Sequence, residues 1–220
     1  MQSPKLNRKQ FAYQTIKNKI LQCEYPPNSF LNEELLCEDL GVSRTPVRDA
    51  LSRLEQEHLI QILPKKGFLV APLSIQEINM VYEGRILLES YILSTYCKEL
   101  PEEMLDQMYH LQESYYQGII SHTGDIHLLD NAFHDAFISR CPNRYFIQTL
   151  HDIDNQNCRL RILSGQVSDK RLFASYNEHN VVLEHLTQGN LSEAREALET
   201  HLLNSKEAAF RTFLNSSVSF

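Results

Sequence analysis

Val47, Ala50, Leu51 and Leu54 stand at i, i+3, i+4 and i+7, with polar residues between them. That stripe predicts a short helix with those four side chains inward and Arg44, Arg48 and Ser52 outward at steps of four. Ser43 or Thr45 can cap it, and Pro46 falls in the first turn, where a missing N–H costs nothing. Upstream, Leu35, Leu36 and Leu40 mark a second helix over Glu33 to Leu40, capped by Asn32 and followed by Gly41, the tight turn of a helix-turn-helix. Downstream the pattern changes: 59–63 and 67–71 are β-prone runs joined by Pro64-Lys65-Lys66, a hairpin with two lysines near its tip. A weaker helical stripe, Phe11, Ile16, Ile20 and Leu21, precedes all of this over 6–23.

Beyond Pro72-Leu73-Ser74 no strand pattern survives. Ser74 and Glu77 form a capping box, and a helix carrying Ile78, Val81, Arg85, Leu88 and Ile92 on one stripe runs to about Lys98. Further helices are expected from Pro101 to Gly118, Thr123 to Arg140, Asn143 to Leu163 and Asp169 to Gln188. Gly189-Asn190 then stops one helix and caps the last, which reaches about Leu214. The expected fold is mainly α: a winged helix-turn-helix over 1–73 and an all-α helical bundle of about six helices over 74–220.

A helix with one apolar face and two guanidinium groups on the other can pack inward and offer Arg forks to phosphate oxygens or a guanine edge. The plainer alternative is a surface helix with solvated arginines. The turn before it and the lysine hairpin after it favour a DNA-recognition helix with a wing against the phosphate backbone.

The net charge of −7 changes meaning once it is divided along the chain. Residues 1–73 hold 10 Lys/Arg against 8 Asp/Glu, and the remainder 11 against 20. Double-stranded DNA is therefore expected at the N-terminal part only, since the acidic remainder would repel it. No apolar run approaches a membrane span, and the polar N-terminus has no signal-peptide character, so a cytoplasmic protein is expected. The five scattered cysteines, without a C-x-x-C pair, read as reduced packing residues.

The bundle carries candidate chemistry of its own. Asp130 and His134 lie at i and i+4 beside Phe133, Phe137 and Ile138, so both face the core. His179 shares a stripe with Leu172, Val182, Leu183 and Leu186, and His201 one with Ala194, Leu198 and Leu202. Buried polar side chains need partners, and a divalent metal would satisfy all four at once; imidazole with carboxylate suits Zn, Ni, Fe or Mn. Against this, nine histidines in 220 residues place some on apolar faces by chance, each then a hydrogen-bonded core residue. Arg85, on an inward stripe, either clamps an effector carboxylate or pairs internally with Glu89 at i+4. Asn157, inward with Phe146, Leu150, Ile153 and Leu160, is an effector-binding candidate of the same kind.

The run Val42-Ser43-Arg44-Thr45-Pro46-Val47-Arg48-Asp49-Ala50-Leu51, with Arg53-Leu54-Glu55 and the Gly67 wing, is similar to the N-terminal domain of GntR-family bacterial transcription regulators. The resemblance implies DNA contacts from Ser43, Arg44, Thr45, Arg48, Lys65, Lys66 and Gly67. Asn28 and His58 stand where the family often has glycine, and both types tolerate left-handed backbone. Glu34 stands where some members carry an arginine that touches DNA. Asp130-x-x-x-His134, Glu178-His179 and His201-Leu202 resemble the FCD ligand-sensing domain of the FadR-type branch. There the matching Asp and three His hold a metal in many members, and small organic acids are the usual effectors.

The sequence thus points to a homodimeric transcription regulator on a pseudo-palindromic operator, without catalytic residues, controlled by a small organic acid at or near a metal. A metal-dependent enzyme would need a general base beside the ion, and the sequence names none. A plain metal sensor is the third reading.

Overall fold

The computed structural model describes residues 7–121, 126–163 and 169–217. It divides into two compact units, Met1–Ser74 with Cys158–Leu163, and Ile75–Asn157 with Ser164–Phe220.

In the first unit, α1 (Arg8–Leu21) starts at Asn7, whose side chain accepts from the Lys9 N–H. The strand β1 (Phe30–Leu31) follows, then α2 (Glu33–Leu40) and α3 (Arg44–Gln56). Asn32 caps α2 by accepting from the N–H groups of Glu34 and Leu35, and Gly41 closes it in the left-handed region at φ 61°. Val47, Ala50, Leu51 and Leu54 of α3 are fully buried with Ala12, Ile16 and Ile20 of α1 in one apolar core. Each of the larger side chains contributes roughly 1.5–3 kcal/mol on leaving water.

Ser43 occupies the N-cap position of α3, yet neither expected hydroxyl cap forms: Thr45 lies inside the helix and Ser43 makes no capping hydrogen bond. Pro46 is the third helical residue, so one of the two backbone donors that an N-cap hydroxyl takes is missing.

The hairpin is present as β2 (Ile60–Leu63) and β3 (Gly67–Val70), paired antiparallel from Ile60 opposite Val70 to Leu63 opposite Gly67. The two-residue β1 was not expected; it pairs with the other edge of β3, giving the order β1-β3-β2. Asn28 (φ 65°) and His58 (φ 57°) adopt the left-handed backbone expected of them, and so does Lys65 at the hairpin tip (φ 64°).

The second unit carries helices and no strand among its described residues: α4 (Ile75–Tyr96), α5 (Glu102–Ser121), α6 (Ile126–Ile138), α7 (Arg144–Leu163, its end grouped with the first unit), α8 (Asp169–Thr187) and α9 (Leu191–Ser217). The expected starts at 6 and 123 fall outside the described residues. Helix α4 packs on α9 and α6, α8 on α9 and α5, and α5 on α6. Phe133, Phe137, Val182, Leu183, Leu198 and Leu202 form the middle of its core, a floor for the polar groups described next.

Candidate metal centre and nucleic-acid interface

Asp130, His134, His179 and His201 come together from α6, α8 and α9, all buried. One ligand atom from each lies within 4.8 Å of the other three. Every imidazole is held from behind. His134 Nδ1–H donates to Glu89 Oε2 at 2.7 Å, and His201 Nδ1–H donates to Glu178 Oε2 at 2.8 Å. Gln112 Nε2 stands 3.3 Å from His179 Nδ1, and Ser175 Oγ donates to Asp130 Oδ1 at 3.2 Å. Partners of this kind fix ring orientation and tautomer at metal sites. With Nδ1 protonated against a carboxylate, Nε2 of His134 and of His201 presents a lone pair inward.

Charge supports that assignment. Burial acts to raise the Glu89 carboxyl, but Arg85 and His134 outweigh it and hold it at about 2. Glu178 is likewise held at about 2 against burial, by hydrogen bonds from His201 and Arg171 and by their charge. Burial above all lowers His201 to about 4 against the pull of Glu178, so it is neutral at pH 7 and competent as a ligand.

Two polar atoms at the site are left over, His134 Nε2 and Gln112 Oε1. His134 Nε2 is buried without a hydrogen-bond partner. His179 Nε2 lies 3.2 Å from His201 Nε2, a contact that needs His179 to spend a proton on its neighbour. Gln112 Oε1 is buried without a partner; with the amide turned, it would accept from His179 Nδ1–H and release His179 Nε2 as a lone pair. An orphaned imidazole nitrogen, the neutral His201 ring and a carboxylate on one point fit a divalent transition metal. The residues could hold one.

Arg85 makes the internal pair and keeps one nitrogen unspent. Its Nε donates to Glu89 Oε1 at 2.7 Å, the internal pair, while Nη1 is buried without a partner. Arg85 also lines a cavity of about 160 Å³ together with Glu89, His134, Asp135, Ile147 and Asp154. Asn157 is buried with both amide atoms unpartnered, but it is not in that lining.

Glu89, Gln112, Ser175 and Arg171 were not singled out as site residues by the sequence. Only Glu89 left a trace there, at i+4 from Arg85. Gln112 lies 67 positions from His179, beyond any local pattern.

In the first unit, Ser43, Arg44, Thr45, Arg48, Lys65 and Lys66 are exposed, and Gly67 begins β3 at φ 103°. The arginines are not solvated singly. Arg44 Nη2 donates to Glu34 Oε1 at 2.7 Å, and Arg48 Nε to Glu33 Oε2 at 2.9 Å. Arg44 and Glu34 are both exposed, so phosphate can compete for that arginine, whereas behind the exposed Arg48 the Glu33 side chain is largely buried.

Fold and site together define a winged helix-turn-helix protein with an all-α second domain. Residues 8–70 match the family described as bacterial regulatory proteins, gntR family, and residues 80–204 match the FCD domain. The chain belongs to the gntR family of bacterial regulatory proteins and carries an FCD domain. It is a DNA-binding transcription regulator and not an enzyme. It is 26% identical over 191 residues to the HTH-type transcriptional regulator YdhC of Bacillus subtilis, covering 86% of this chain and 85% of that one. It is 24% identical over 200 residues to the HTH-type transcriptional repressor GlaR of Escherichia coli, covering 87% and 91%. The solved structure of E. coli McbR/YncC superposes with a TM-score of 0.79 at 18% identity, covering 94% of this chain and 99% of that one. No helix among the described residues is long and apolar enough to cross a membrane.

Proposed function

We propose that this regulator is a cytoplasmic homodimer that reads a pseudo-palindromic operator and is switched by a small organic acid bound beside a metal. Asp130, His134, His179 and His201 hold a divalent transition ion (Zn, Ni, Fe or Mn). When bound, the ion supplies Lewis acidity and open positions for a carboxylate. The chain's own residues do the rest. Glu89, Gln112 and Glu178 orient the imidazoles, and the second nitrogen of the Arg85 fork offers a charge-assisted hydrogen bond to the same acid. Arg44 and Arg48 reach base edges or phosphates from α3, Ser43 and Thr45 bind phosphates, and Lys65, Lys66 and Gly67 lie along the backbone.

The observation that carries this reading is the convergence of four buried ligand atoms beside a cavity holding an unspent guanidinium nitrogen. An acid that binds one dimer geometry better than the other shifts the population toward or away from DNA. The test is operator affinity of metal-free protein, titrated with metal alone and then with a panel of small acids. A response to acid only after metal loading supports the acid sensor. A full response to metal alone points to a plain metal sensor, and no response to either rules out both.

A further inference from the structure

The cavity is asymmetric in charge. Burial gives it an inner side, where Arg85 is only 4% exposed and its Nη1 has no hydrogen-bond partner, and an outer side, where Asp135 is exposed and Asp154 half-buried. Glu89, beside it, is spent on Arg85 and His134. The lining then carries two further carboxylates, Asp135 and Asp154, with Asn131 donating to Asp154 Oδ2 at 3.2 Å. Among the described lining residues Arg85 is the only lysine or arginine, with His134 and His151 the imidazoles, and Ile138, Ile147, Leu150 and Ile153 form the apolar wall.

We propose that the ligand is a small carboxylate bearing a cationic amine at its far end, the amine being received by Asp135 and Asp154. This rests on the reading that an acid binds at the metal and Arg85. The carboxylate of such a ligand meets Arg85 at the inner end, and its methylenes run along the isoleucine and leucine wall. Its ammonium then offers three donors to two acceptors of opposite charge. A dicarboxylate of the same length would bring its second anion up to Asp135 and Asp154 instead, where like charges repel. A void of about 160 Å³ compares with the apolar cavity of about 150 Å³ known to take benzene, so the ligand has on the order of six to eight heavy atoms.

Butanoate, succinate and 4-aminobutanoate share a four-carbon chain and differ only in the far group. Calorimetric titration of each into full-length, zinc-loaded protein reads the preference directly. The amine-bearing acid should bind at least about tenfold tighter than either of the others. In Asp135→Asn/Asp154→Asn that preference should collapse and succinate should gain. Asp135→Glu/Asp154→Glu, which keeps the charges, should retain it, and zinc content and circular dichroism establish that each variant is folded.

Succinate binding as tightly as 4-aminobutanoate to the native protein overturns the proposal. So does an ammonium preference that survives the double Asn substitution. Either result leaves the acid-at-metal reading standing if Arg85→Met or zinc removal still weakens all the acids. Acid binding that ignores both Arg85→Met and zinc removal overturns that reading and this proposal together, and so does the failure of all three acids to bind.

Discussion

Acidifying the metal-free protein should destabilise it through His201. In the folded state burial lowers this imidazole to about 4, whereas the unfolded value is 6.5. The unfolded chain therefore takes up the proton first. The contribution of His201 to stability is complete above pH 6.5, declines as pH falls from 6.5 toward 4, and changes no further below that. One pKa unit is worth about 1.4 kcal/mol, so the whole window amounts to roughly 3 kcal/mol, of which about 2 is lost between pH 7 and pH 5. Glu89 and Glu178, both held at about 2, add their own losses only below about pH 4.5, so they do not blur the first window. The assay is urea unfolding of chelator-treated protein at pH 7, 6 and 5, native against His201→Gln. The native protein should lose on the order of 2 kcal/mol more than the variant over that range. Parallel pH dependences for the two proteins would refute the reasoning, because the proton sensitivity would then lie elsewhere.

Gln112→Leu removes the group behind His179 without touching a ligand, and should weaken metal binding about 10–100-fold while operator binding by the metal-free protein is unchanged; competition with a chromophoric chelator reads it. Arg44→Ala or Arg48→Ala should cost about 1–3 kcal/mol of operator affinity in a mobility-shift titration if the arginine reads a base, and Glu34→Gln should have the opposite sign, strengthening DNA binding and steepening its salt dependence by freeing Arg44. A Cβ on Gly84 would stand 2.5 Å from Ile153 Cδ1, in the cavity wall. Gly84→Ala gains up to about 1 kcal/mol of helix propensity, which offsets the strain of moving that methyl. Its melting temperature should therefore shift little while acid affinity falls, and intact affinity would show the cavity to be irrelevant to binding.

The helix-turn-helix was legible because its signals are local. Asn32 caps a helix that starts one residue later, Gly41 turns left-handed where the turn needs it, and Val47 to Leu54 spell out a buried face within eight positions. β1 was not legible, since two residues have no period, and Phe30 and Leu31 are ordered by a partner strand nearly forty positions away. The same contrast runs through the metal centre. Asp130 and His134 announce themselves as neighbours on one helix turn, and apolar stripes turn His179 and His201 inward. What orients those rings was hidden. Glu89 meets His134 across 45 positions and Gln112 meets His179 across 67, contacts that exist only once α4 and α5 are packed. The missing Ser43 cap was hidden in another way: the proline that marks the helix start also removes a donor the cap would use.

The hydrogen bonds behind the imidazoles have a mechanical side. The ligands stand on α6, α8 and α9, and the groups that hold them stand on α4, α5 and α8. Five of the six described helices of the second unit are thus tied to one point, as the spokes of a wheel are to its hub. Helix α7 supplies neither a ligand nor one of these holders; it supplies cavity wall, through Ile147, Leu150, His151, Ile153 and Asp154. A molecule entering the cavity touches α4 and α6, which are tied to that point, on one side and α7, joined to α6 through Asn131 and Asp154, on the other. Whatever occupies the cavity is thus in touch with two spokes of the hub and with α7 at once.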